Sequence, residues 1–335
     1  MNSILCTYRI FQSYILLNNE RSKEMKYVVK KLSAMLLVII IVSFLAFLAF
    51  SVISGDPALS KLGTQATPER LEALREEMGL NRPLLVRYGD WAIHFLQGDM
   101  GESYDYNMPV KEMIGDKLPI TISLTLMSFV IMTVLAIPLG IYTAKHENGL
   151  IDRIIYILNQ VIMAIPPFFS GILITWIFGL VLKLFTPGGF VSYKEDVGGF
   201  FWYLLFPAIA IALPKCAMTV KLLRAAILDE VKAGYVRTAY SKGNNTNKVL
   251  YYHVLKNAMI PVVTFLGMAL ADILAGSIVI EQVFNIPGIG RILLTSISNR
   301  DYPVVQAIIV LIAVWVIVIN FVVDMIYKVI DPRID

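Results

Sequence analysis

Long apolar stretches alternate with polar segments along the whole chain. They fall at residues 32–53, 118–142, 154–185, 200–220, 259–283 and 304–330. Each is long enough to cross the roughly 30 Å of a bilayer's hydrocarbon as a helix. The stretch 154–185 is the longest and reads as one tilted span with Pro166-Pro167 inside it. A proline pair frees backbone carbonyls, which a membrane tolerates only where neighbours or water satisfy them. Pro138, Pro207 and Pro214 lie in other spans, where kinks shape the bundle.

The polar segments carry their own element signals. Residues 54–117 form the largest. In it Thr67-Pro68-Glu69 is a helix start, running to about Met78 with Gly79 after it. Asn81-Arg82-Pro83-Leu84 breaks the chain, and Val86 to Leu96 is a second, amphipathic helix whose Tyr88 and Trp91 suit a membrane–water boundary. Gly98-Asp99-Met100-Gly101-Glu102-Ser103 reads as a loop; no strand precedes it, which argues against phosphate-loop chemistry. Leu228 to Pro261 is the longest polar run of the second half, overlapping a loop read at 221–257. Leu228, Val231, Tyr235 and Ala239 there have helical spacing, and Val236 and Tyr240 widen the face. Lys242-Gly243 is a helix stop. Asn245 or Thr246 caps a second helix that runs towards Pro261.

Composition agrees with an all-α, polytopic membrane protein of six transmembrane helices. Of 335 residues, 57% are hydrophobic and 16% charged, with a mean hydropathy of +0.69. Cys6 and Cys216 suggest no disulfide framework, and His94, His146 and His253 form no metal-binding pattern. No G-x-x-x-x-G-K-[ST] occurs, so ATP hydrolysis by this chain is not expected. The net charge of +4 matters less than its placement. Residues 1–31 carry six Lys/Arg and residues 221–257 carry seven; residues 54–117 carry seven beside eleven Asp/Glu. The positive-inside bias therefore places both termini and 221–257 in the cytoplasm, with 54–117 and 284–303 outside.

The run Tyr235-Val236-Arg237-Thr238-Ala239-Tyr240-Ser241-Lys242-Gly243, followed by Lys256-Asn257-Ala258 and Pro261-Val262-Val263-Thr264, resembles the permeases of ABC importers, in their oligopeptide/dipeptide branch. Where the general docking motif begins Glu-Ala-Ala, this chain has Arg237-Thr238-Ala239. Phe284-Asn285-Ile286-Pro287-Gly288-Ile289-Gly290-Arg291, Arg300-Asp301-Tyr302-Pro303-Val304-Val305-Gln306 and Asp331-Pro332-Arg333-Ile334 extend the resemblance, which runs over about 27–334 and places the permease domain at about 118–330. Residues 1–24 precede the segment where such permeases usually start.

The resemblance implies a multi-pass subunit of a bacterial or archaeal plasma membrane that imports peptides. Its partners would be a second homologous permease, two ABC ATPases that bind the ATP and magnesium, an external solute-binding protein and membrane lipid, with no nucleic acid. The chain itself would bind no cofactor or metal and have no catalytic residue. Tyr235, Val236, Ala239 and Tyr240 would enter the ATPase cleft; Arg237 and Lys242 would meet acidic groups at its rim; Gly243 would set the turn. Relatives carrying nickel chelates, glutathione or oligosaccharides leave the cargo open.

Ionisable residues inside spans are costly, about 2.5–3.5 kcal/mol at a helix centre. Asp272 lies mid-span in 259–283, and Lys215 follows Pro214. A pair between them would relieve both, either as a structural pair or as a reader of charged groups on cargo in the translocation path. Glu281 reads as a boundary charge or an outer gate; Lys183 and Asp324 read as span-end charges. A self-contained ion-coupled transporter would want several mid-span acids. An intramembrane enzyme would want converging carboxylates or a metal cluster, which the spans lack.

Overall fold

A computed structural model describes residues 28–51, 58, 62, 67–77 and 79–330 of the chain. Residues 1–24, with Cys6, and the segment 331–334 lie outside the described residues. Helix α1, Val28–Ser51, starts four residues before the expected span. Helix α2, Pro68–Glu77, begins where Thr67 Oγ1 accepts the Arg70 amide at 3.4 Å. Helix α3 is Leu84–Leu96, with Pro83 in extended conformation ahead of it. The short α4, Val110–Gly115, leads into α5, Leu118–Lys145, which keeps Pro138 inside.

The expected single third span is in fact two helices. Helix α6, Leu150–Ala164, and α7, Pro167–Val181, meet at 105°. The cause is local. Neither Pro166 nor Pro167 has an N–H to donate, and a residue before proline is pushed out of the helical region. Ile165 and Pro166 are accordingly extended.

Helix α8, Val197–Glu230, is longer than the expected 200–220 and runs through Pro207 and Pro214. Pro214 leaves the Ala210 carbonyl without its helical donor. The Ser170 hydroxyl of α7 reaches that carbonyl at 3.1 Å while also bonding Pro167 O at 2.7 Å. Helix α9 is Gly234–Ser241. Helix α10, Thr246–Val283, merges the expected second short helix with the expected fifth span and includes a π-helical stretch at Val249–Val254. Helix α11, Ile289–Ser298, lies in what reads from sequence as a loop, and α12 is Tyr302–Ile330.

Helices α5 and α8 form the centre of the bundle, with α10 packed on both. Gly140 permits the closest approach: a Cβ there would sit 2.9 Å from Leu223 Cδ2. Leu124, Met132, Leu204, Leu223, Ile273 and Ile280 fill the core. Helix α1 lies beside α12 and antiparallel to it: Lys31 pairs with Asp324 at 2.6 Å near one end, and Phe50 packs on Tyr302 near the other. The turn 146–149 and residues 231–245 mark the bundle's basal end. Residues 98–109, 182–196 and 284–301 mark its apical end.

Candidate coupling helix and buried polar nodes

The periodicity through Leu228, Val231, Tyr235 and Ala239 predicts one helix, but the chain breaks between α8 and α9. Ala233 is extended (φ −65°, ψ 146°), and Gly234 follows it at the start of α9. The break rotates the buried face. Val231 is exposed, whereas Val236 and Ala239 are buried at 2% and 6% exposure in the chain's own core, with α9 packed on the π-helical start of α10. These two residues therefore cannot also lie in a partner's cleft in this conformation. The outward surface of α9 consists of Tyr235, Arg237, Thr238, Tyr240, Ser241 and Lys242.

Both ends of α9 are fixed by local chemistry. At its C-terminus Gly243 takes φ +80°, a conformation that favours glycine. The Gly243 amide bonds Tyr240 O at 2.9 Å, and Asn244 N reaches Ala239 O at 3.4 Å, a Schellman closure. Asn245 Oδ1 then accepts Lys248 N at 2.9 Å and starts α10. At the other end the Tyr235 hydroxyl donates to Glu230 Oε1 at 2.6 Å, and Asn257 Nδ2 reaches that same oxygen and the Tyr235 oxygen, each at 3.1 Å. Burial, then the Glu230 carboxylate, pushes the Tyr235 phenol up to about 12, so it stays a neutral donor at physiological pH. Glu230 on α8 and Asn257 on α10 thus clamp the short helix to two membrane helices. Sequence reading quotes Asn257 only as part of a motif and gives Glu230 no role; their positions bracketing a Tyr are the available signal.

A second basal anchor joins α6 to α8. Arg224 grips Asp152 in two-pronged fashion, Nε to Oδ1 at 2.8 Å and Nη2 to Oδ2 at 2.9 Å, and the Asn148 amide adds a bond of 3.0 Å. Asp152 is buried. Such bidentate, charge-assisted pairs are the geometrically specific kind. Sequence reading places Arg224 in a loop because it ends the fourth span at 220, and so misses the pair.

Lys215 and Asp272 meet: Nζ lies 2.6 Å from Oδ2, tying the middle of α8 to the middle of α10. The Asp272 side chain is 61% exposed at the surface of the single chain.

Glu281, near the apical end of α10, is buried at 0% relative exposure and so is not a solvent-facing charge. Its Oε1 accepts the Thr121 hydroxyl of α5 at 2.5 Å, and its Oε2 accepts Gly290 N at 2.7 Å and Arg291 N at 3.2 Å. Thr121 Oγ1 accepts Ile289 N at 2.9 Å. A carboxyl group here caps the first turn of α11 and suits its dipole. Glycine is required around it: a Cβ on Gly288 would sit 2.3 Å from Glu281 Cδ, and one on Gly290 would sit 2.4 Å from Ile278 Cα. A second apical node lies at Asp301, buried at 1% exposure, which accepts the Ser103 hydroxyl and, at 3.0 Å, Tyr104 N.

Residues 136–335 match the family described as binding-protein-dependent transport system inner membrane component, and residues 24–125 match that family's N-terminal region. Among named proteins, a probable peptide ABC transporter permease of Sinorhizobium fredii, y4tP, is 32% identical over 308 residues, covering 92% of this chain and 98% of its own length. The oligopeptide transport permease AppB of Bacillus subtilis is 32% identical over 312 residues, with coverage of 92% and 99%. The glutathione transport permease GsiC of Salmonella choleraesuis is 34% identical over 311 residues, again covering 92% and 99%.

Proposed function

The chain belongs to the family of binding-protein-dependent transport inner membrane components, the multi-pass permeases of ABC importers, and from that premise we propose that it carries peptides. The family name implies a solute-binding protein and ATPase subunits as partners. In our reading two ATPases bind ATP and magnesium, a second homologous permease completes the path, and this chain binds no nucleotide. Its basal end and both termini face the cytoplasm, following the charge bias of the sequence.

The observation that carries the coupling to ATPases is α9, an exposed short helix clamped at both ends to α8 and α10. A rigid handle of this kind transmits rotation of an attached subunit to the spans. Its outward residues Arg237, Thr238, Tyr240 and Lys242 form the contact with the ATPase, while Tyr235, Val236, Ala239 and Gly243 hold its shape. Peptide cargo is favoured by the names of y4tP and AppB, a peptide and an oligopeptide permease. Glutathione, itself a small peptide, is the second reading, favoured by the likeness to GsiC.

The test is co-purification from native membranes in mild detergent, comparing wild type with Tyr240→Asp. Wild type is expected to bring down a second permease and ATPases, and the variant to lose most of the ATPase while keeping the permease partner. An unchanged ATPase yield from Tyr240→Asp rejects α9 as the contact.

Cargo recognition is assigned to the Lys215–Asp272 pair. Leaving a carboxylate at lipid depth costs several kcal/mol unless it faces water or protein, and the exposed Asp272 edge suits a path lined by two permeases. Asp272→Asn is expected to change the ratio of uptake rates for free and N-acetylated peptides by roughly tenfold, the scale of one charge-assisted bond. Equal rate ratios in wild type and variant would return the pair to a purely structural role.

A further inference from the structure

Among the described residues only two methionines are exposed, Met218 at 43% and Met268 at 52%. Both flank the Lys215–Asp272 pair. Met218 follows Lys215 by three residues on α8, and Met268 precedes Asp272 by four on α10, so each shares a helix face with its neighbour in the pair. The two helices are antiparallel: α8 descends from the apical loop 182–196 to residues 231–245, and α10 returns to 284–301. Three residues on along α8 and four residues back along α10 therefore lead the same way, by about 5 Å and about 6 Å towards the basal end. The two thioethers lie at one level, about one helical turn below the charges.

The pair itself is only half satisfied. Asp272 Oδ2 meets Lys215 Nζ at 2.6 Å, and Oδ1 has no hydrogen-bond partner among the described residues. The Lys215 side chain is 28% exposed against 61% for Asp272, so the outward edge of the pair is the anion. A bare carboxylate oxygen at this depth is costly against acyl chains. Met218 and Met268 face what Asp272 faces, and that is water, cargo or protein. An open anion beside an apolar wall matches a group that is cationic at one point and apolar next to it.

The amino terminus of a peptide is such a group, because one carbon atom carries both its ammonium and its first side chain. We propose that Met218 and Met268 form the subsite for the first side chain of the cargo, while Asp272 Oδ1 accepts from the ammonium. The subsite rests on assigning the Asp272 edge to the translocation path, and it adds a side-chain preference that a charge alone does not give. Methionine suits the task. It is unbranched and polarizable, with three rotatable bonds, so the wall re-forms around side chains of different shape. Branched or aromatic residues would select one shape. The ligand class is therefore peptides with a free amino terminus and an apolar first residue of any outline.

The test has two arms. In the first, p-benzoylphenylalanyl-alanyl-alanine is irradiated with the purified full-length chain and the subunits that co-purify, and the adduct is mapped by mass spectrometry. The adduct is expected on Met218 or Met268, at about tenfold lower yield when the probe is N-acetylated. This arm is read on wild type and needs no variant to fold. In the second, cells take up tripeptides that begin with phenylalanine, leucine or glycine and end in two alanines. Each variant rate is divided by the wild-type rate for the same peptide, which cancels the preference of the binding protein. Met218→Ser combined with Met268→Ser is expected to slow the phenylalanine and leucine peptides about fivefold more than the glycine peptide, whereas Met218→Leu combined with Met268→Leu keeps the leucine peptide close to wild type. Adducts confined to other residues overturn the proposal. So does an equal fall for all three peptides with a parallel loss of the co-purified second permease, which would make the methionines packing residues of the permease pair. If Asp272→Asn leaves the ratio of free to acetylated uptake unchanged, the path assignment itself falls. If that ratio shifts but neither arm marks the methionines, only their subsite falls.

Discussion

Glu281 shows how much a single residue can organise. Its carboxyl group gathers donors from α5 and from the first turn of α11, and Thr121 bridges the two by donating to Glu281 and accepting from Ile289 N. Thr121→Val removes both bonds and leaves a buried oxygen and a buried amide unpaired. Each such group costs about 1–3 kcal/mol, so the variant is expected to melt several degrees below wild type in detergent, while Thr121→Ser, which keeps the hydroxyl, melts close to it. Gly290→Ala should be at least as damaging, since its Cβ would meet the Ile278 backbone at 2.4 Å. A Thr121→Val protein as stable as wild type would show that α11 is held by packing alone. Glu281 stands out in the sequence as an acid at the end of a span. Its role does not, because one partner, Thr121, lies 160 residues away and the others, Gly290 and Arg291, sit on a helix hidden inside an apparent loop. The Asp272–Lys215 pair is legible for the opposite reason: a lone acid and a lone base at membrane depth each need a partner, and each is the other's best candidate.

At the scale of elements, the sequence locates the apolar cores of the spans well and their ends poorly. Hydropathy reports where lipid begins, but a helix ends where its backbone bonds end. Helices α8 and α10 therefore run about ten residues past the expected limits, carrying Arg224, Glu230 and Asn257 on regular helix beyond the apolar core. That extension lets α9 be clamped from two sides. The Lys242-Gly243 stop and the Asn245 cap are readable because each rests on local chemistry. The direction in which α9 faces is not readable, since the three-residue break at 231–233, with Ala233 extended, resets the phase of the pattern. The clamp itself can be loosened without touching the exposed surface of Arg237 and Tyr240. Tyr235→Phe removes the phenol from Glu230 and Asn257 and leaves the ring in place. Cargo uptake is expected to fall roughly two- to tenfold, the loss of one bond to a charged group at a half-open site, at an unchanged yield of co-purified ATPase. A fall in ATPase yield that parallels the fall in uptake would mean that Tyr235 binds the partner directly and does not stiffen the helix.

At the scale of the whole molecule, one premise ties the parts together, namely which way the bundle faces. The Asp152–Arg224 and Tyr235–Glu230–Asn257 anchors are basal; the Glu281 and Asp301 nodes are apical. In the orientation proposed from the charge bias the basal end lies in the cytoplasm, where an ATPase could reach α9, and the apical segments lie outside, where they could meet a binding protein. Helix packing alone is indifferent to this choice, because an inverted bundle would keep every contact. The orientation can be read with two cysteines introduced singly after Cys6 and Cys216 are replaced: Ser241→Cys on the basal α9 and Glu195→Cys in the apical loop, both at exposed positions. In intact spheroplasts a membrane-impermeant maleimide is expected to label Glu195→Cys at once and Ser241→Cys only after permeabilisation. The reverse pattern would leave the fold and the Glu281 node untouched. It would remove α9 from the ATPase, and every coupling role assigned to residues 234–243 would fall with it.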